Sequence, residues 1–124
     1  MMKKLLSLAF QLDHELMTTL RLTTGGICSL AGLDIDATED CKVCVTESLL
    51  LLMHSGFSKA CVSFFEDEGV YVHIAAEGDK QQSMEAIDDG ISSALLTALA
   101  GEVNLEKEGD CLKAIAFRFV ANGR

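Results

Sequence analysis

A chain of 124 residues, 49% of them apolar, is long enough to fold as one domain around its own hydrophobic core. Nineteen acidic side chains against ten basic ones leave a net charge of −9, which repels phosphate backbones and anionic lipid and argues against nucleic-acid and membrane partners. There is no Pro, no Trp, no repeat and no low-complexity stretch, so residues 1–124 read as a single domain.

The opening Met1-Met2-Lys3-Lys4-Leu5-Leu6 has the charge of a signal peptide, but Gln11, Asp13, His14 and Glu15 end its apolar run. Leu49 to Met53 is too short to span a bilayer. The expectation is a cytoplasmic protein. Leu6, Leu8, Phe10 and Leu12 alternate at period two and predict a half-buried strand. Asp13 then caps a helix whose buried face is marked by Leu16, Leu20, Ile27 and Leu30. Gly25-Gly26 inside it predicts a bend or break, since each Gly costs a helix about 1 kcal/mol relative to Ala.

Ala31-Gly32-Leu33 ends that helix. Asp36 and Glu39 have the spacing of a capping box, and a long, mostly apolar helix follows to about His54, stopped by Ser55-Gly56. Ala60 to Phe65 and Val70 to Ala76, joined by Glu66-Asp67-Glu68-Gly69, predict a hairpin. That acidic turn lacks the spacing of a calcium loop and reads as a solvated tip. After Ser83 as N-cap, Met84, Ile87, Ile91, Leu95 and Ala98 form a helical stripe that ends at Gly101. Val103 and Leu105, then Ile115, Phe117 and Phe119, predict a closing pair of strands around Glu108-Gly109-Asp110. The order β-α-α-β-β-α-β-β suits an α+β two-layer sandwich, a mixed or antiparallel sheet covered on one face by three helices.

This order, and several segments, resemble the anti-sigma-factor serine kinases, which have the histidine-kinase-like ATPase fold. The segments are Leu20-Arg21 through Leu30-Ala31-Gly32-Leu33, Cys44-Val45-Thr46-Glu47-Ser48, and Leu95-Leu96-Thr97-Ala98-Leu99-Ala100-Gly101-Glu102-Val103. The resemblance spans roughly residues 5 to 120. It implies a Glu on the long helix acting as general base, an Asn one turn later ligating Mg²⁺, an acidic-glycine motif at the adenine, and a glycine pair where the next helix meets the phosphates. Residues four apart share a helix face, and a helix N-terminus favours anions.

Set on this sequence, the resemblance puts the catalytic Glu at Glu47. The metal-ligating place falls on Leu51, which has no oxygen to offer a hard cation. Ser55 stands at the next turn with His54 beside it. Gly78 and Asp79, then Gly90 and Ser92, are the remaining candidates for nucleotide binding. No metal ligand set is expected.

Cys41-x-x-Cys44 is one knuckle in mid-helix without a second, so the five cysteines read as buried thiols and not as a metal or redox site. His73 reads as a surface or helix-facing residue of its strand, and His14 as solvated. The expectation is a regulatory protein resembling anti-sigma factors, acting by protein–protein binding, with its ATP site largely lost and no cofactor. Its partner would be a sigma factor or an anti-anti-sigma-like protein, and two copies would form a homodimer. The alternative is an ATP- and magnesium-dependent serine/threonine kinase that phosphorylates an anti-anti-sigma partner.

Overall fold

A computed structural model describes residues 2–78, 90–109 and 111–121, with the side chains of 90–92 left aside. The elements are β1 (Lys3–Gln11), a 3₁₀ turn (His14–Leu16), α1 (Met17–Leu30), α2 (Ile35–His54), β2 (Lys59–Glu66), β3 (Gly69–Glu77), α3 (Gly90–Leu99), β4 (Glu102–Glu108) and β5 (Cys111–Val120). The five strands form one sheet in the order β1-β2-β3-β5-β4, and every neighbouring pair is antiparallel. The three helices complete a two-layer α+β fold. None of the described helices is long and apolar enough to cross a membrane.

Strand alternation divides the sheet into two faces. Registers Val62↔Ile74, Phe64↔Val72, Val72↔Phe117 and Ile74↔Ile115 put these side chains on one face, where all are buried under the helices. Leu6, Leu8 and Phe10 of β1 extend the same apolar surface, against Phe64, Val62 and Ala60. The other face carries Ser63↔His73, Phe65↔Tyr71 and Tyr71↔Arg118.

Several expectations are corrected. The N-cap of α2 is Asp34, whose carboxylate accepts from the Ala37 N–H at 2.8 Å, and not Asp36. Glu39 pairs with Lys42 at 3.2 Å instead of closing a capping box. Asp13 caps the 3₁₀ turn, and α1 begins one turn later at Met17.

Helix α1 also runs unbroken through Gly25-Gly26, because its packing along α2 outweighs the intrinsic cost of two glycines. Its buried face is Leu20, Thr24 and Cys28, while Leu30 points outward. Thr24 enters the core because its hydroxyl donates to the Leu20 carbonyl at 2.7 Å. Among the described side chains of α3 Leu96 is the buried one, and Ala98 is exposed. That helix is apolar nearly all round, so contact with α2 chooses its inner face, and periodicity does not. The expected N-cap Ser83, with Met84 and Ile87, lies outside the described residues.

The long helix ends in a Schellman lock. Gly56 takes φ +97°, its N–H reaches the Met53 carbonyl at 3.0 Å, and the Phe57 N–H reaches Leu52 at 3.2 Å. Phe57 is thereby folded back into the core. A different constraint acts at Gly69, with φ +141°: a Cβ there would fall on the Phe119 carbonyl oxygen, so only Gly lets β3 lie this close to β5.

Candidate functional site

Helix α2 presents the residues on which a nucleotide site would turn. Glu47 is half-buried on it. One turn on, Leu51 is 2% exposed and belongs to the hydrophobic core together with Val45, Leu49 and Leu52. A further turn on, the Ser55 hydroxyl donates to the Leu51 carbonyl at 2.8 Å, so it is turned back onto its own helix. The row 47–51–55 thus offers one carboxylate, one core aliphatic group and one occupied hydroxyl. A magnesium ion needs several hard oxygens, and this row supplies them from Glu47 alone.

The other candidates are placed less fully. Gly78 follows β3 with φ +78° and open space where a Cβ would be. Asp79 lies outside the described residues. Gly90 is the first residue of α3 and Ser92 lies in its first turn. The described part of α3 packs directly on α2. The segment 79–89, which would form the far wall of a nucleotide cleft, is also outside the described residues.

Beside Glu47, Thr46 joins the two long helices. Its Oγ1 donates to the Lys42 carbonyl at 3.0 Å and accepts from Arg21 Nε of α1, also at 3.0 Å. Ser48 is fully buried and donates to the Cys44 carbonyl at 2.7 Å. Every polar residue on the buried side of α2 is therefore satisfied within the helix or by α1.

The cysteines of the two helices are core residues: Cys28, Cys41 and Cys44 are all inaccessible and free. Burial, with Asp40 and Glu47 nearby, pushes the Cys44 thiol up to about 12. A hydrogen bond with Cys28, and burial, hold Cys41 well above the usual thiol range. Cys41 and Cys44 therefore stay protonated at neutral pH, whereas the hydrogen bond with Cys41 lowers the Cys28 thiol from its ordinary value. Among the described residues no group of three or more His, Cys, Asp or Glu stands together in a way that could hold a metal.

Two surface concavities lie among the described residues, and Glu47 lines neither. One of about 390 Å³ lies at the β1–β3 end of the sheet, between Ala9, Phe10, Gln11, Lys59 and Glu77. The other, about 200 Å³, runs between α1 and the start of α2, along Gly25, Ser29, Ile35 and Glu39. Ile35, which lines the second, is 81% exposed; on α1 Leu22 and Leu30 are 71% and 69% exposed, although spacing places Leu30 on the buried face.

The acidic turn after β2 is also more than a solvated tip. Asp67 accepts from Arg118 Nη1 at 2.9 Å through its carboxylate and at 3.1 Å through its carbonyl. Glu102 receives Arg118 Nε at 3.3 Å, and the guanidinium lies 5.4 Å from the Tyr71 ring centre. His73 is on the same face, 3.7 Å from Glu106. No protein-family model matches the chain, and no curated protein matches it significantly.

Proposed function

We propose that this chain is a regulatory protein that acts by binding another protein, in the manner of the anti-sigma factors it resembles, and that its fold is a histidine-kinase-like ATPase fold which no longer works on ATP. The observation that carries this reading is Leu51. Its side chain is part of the core, where a magnesium ligand would have to face a wet, anionic phosphate group. The partner is a sigma factor or an anti-anti-sigma-like protein. The docking surface is the outer side of α1 and the start of α2, where Leu22, Leu30 and Ile35 stand in water.

Thermal unfolding with millimolar Mg²⁺–ATP or ADP tests this. A ligand at 100 times its Kd stabilises by about 2.7 kcal/mol, a shift of several degrees. The expected result is no shift, and a clear shift overturns the nucleotide-independent reading. The alternative, a serine/threonine kinase, rests on Glu47 as base. Transfer of labelled phosphate from ATP to a partner, abolished in Glu47→Gln, would establish it.

A further inference from the structure

We propose that the outer face of α1 seats an amphipathic helix of the partner protein, which lays an apolar row across Gly26, between Leu22 and Leu30, and sets lysines or arginines against the acidic start of α2. This rests on the reading above, that the chain works by binding a protein on its helical side, and specifies what that protein presents.

The first observation is a contrast between two neighbouring glycines. A Cβ on Gly25 would come within 2.9 Å of Lys42 Cε, so this glycine lets the lysine stem lie across α1 and has its reason inside the fold. At Gly26 nothing among the described residues lies within 4 Å of where a Cβ would be, and the residue is in regular helix. A glycine inside a helix weakens it, and no contact within the described fold asks for this one. The bare backbone at Gly26 is open only to something that approaches from outside.

The second observation is what surrounds that gap. Leu22, Gly26 and Leu30 are four residues apart and form one row along α1. The two leucines are 71% and 69% exposed, so the row is a pair of apolar ridges with a notch between them, the shape that the ridge of a second helix fills. Charge is nearly missing from this helix. With 23% of the whole chain charged, 14 residues would carry about three charges, yet α1 has Arg21 alone, whose Nε is turned to Thr46 of α2. Exposed apolar side chains without charges mark the core of an interface.

The third observation gives the chemistry of the partner. From Leu22 to Cys41 the chain has Asp34, Asp36, Glu39 and Asp40 and no Lys or Arg. Asp34 caps α2, and Lys42 partly offsets Glu39 at 3.2 Å, which leaves the first turns of α2 acidic. The cleft of about 200 Å³ between Gly25, Ser29, Ile35 and Glu39 has room for the stem of a lysine or arginine whose head reaches Glu39. An apolar row with a basic flank is thus the complement of this surface, and an acidic helix is repelled by it.

Fluorescence anisotropy with two labelled synthetic helices of about 18 residues, five turns, tests the proposal. Both carry leucine along one face; one has lysine on its flanks and the other glutamate. The expected result is micromolar binding of the lysine helix, weakened by salt, and binding of the glutamate helix at least about tenfold weaker. Gly26→Leu fills the notch and weakens the lysine helix at least about tenfold, and Asp36→Lys flattens the salt dependence. Leucine suits a helix better than glycine and meets nothing at this position, so Gly26→Leu is expected to melt above the wild type, which circular dichroism reads. The proposal is overturned if the lysine helix does not bind, if the glutamate helix binds as well, if Gly26→Leu binds as the wild type does, or if the chain alone dimerises and Gly26→Leu dissociates it, which would make a second copy the occupant. A melting shift with Mg²⁺–ATP would sink the nucleotide-independent reading and leave these results standing. Peptide binding indifferent to Gly26→Leu would sink the helix seat and leave that reading standing.

Discussion

The two faces of the sheet are built from the same strands and hold together by different physics. On the helix side, Val62, Phe64, Val72, Ile74, Ile115 and Phe117 are at most 1% exposed, and dispersion and burial do the work. On the open side, Tyr71, His73 and Arg118 are half-buried and contribute through ring stacking, a cation over a ring and ion pairs near solvent. The helix side is therefore sensitive to volume and indifferent to salt. The open side tolerates changes of size and responds to charge.

The largest effect that tests this contrast is Phe117→Ala, expected to cost about 3–5 kcal/mol in urea unfolding because a core cavity remains. Next is Leu51→Asn. If Leu51 is core, an unpaired amide there costs about 2–4 kcal/mol. A cost below about 1 kcal/mol would instead reveal a roomy, polar place and revive the nucleotide site.

Alkaline pH gives a smaller effect. The Cys44 thiol ionises near 9 when unfolded and about 12 when folded, so it adds no pH dependence below about 9. Between these values the unfolded chain loses a proton that the folded one keeps. Stability then falls with rising pH, by up to about 1.4 kcal/mol per pH unit for this thiol, and Cys44→Ala should flatten the slope. The smallest effect belongs to the open face: Arg118→Ala should cost about 1–2 kcal/mol, and the difference should shrink in high salt.

The order of elements was legible in the sequence because each one is local. Alternation at Val70 to Ala76 and the stop at Ser55-Gly56 needed no tertiary information. The errors arose where tertiary packing decided. Asp34 and Asp36 are both plausible caps by type, and backbone geometry at Asp34 selects between them. Leu30 looks like a core residue by spacing, whereas the buried stripe runs through Thr24, which hides its hydroxyl in a helix bond. That Leu51 offers no oxygen to a metal was legible as chemistry, and its place in the core agrees with that. Arg118 and Asp67 could not be linked in advance, because 51 residues separate them and only the register of β3 with β5 brings them together.

Strand β1 has a consequence for the order of assembly. β2–β3 and β4–β5 are hairpins closed by short turns, but β1 reaches β2 only across both long helices, with Lys3 opposite Glu66. It closes the longest loop between neighbouring strands of the sheet, and loop closure delays pairing. β1 is also an edge, with a register shift between Lys4 and Leu6, so only one of its margins is hydrogen-bonded in the sheet, and Leu6, Leu8 and Phe10 supply the rest of its hold. On loop-closure entropy, β1 is therefore expected to join the sheet after the two hairpins. A chain can thus hold its helical core while its first strand is still unpaired.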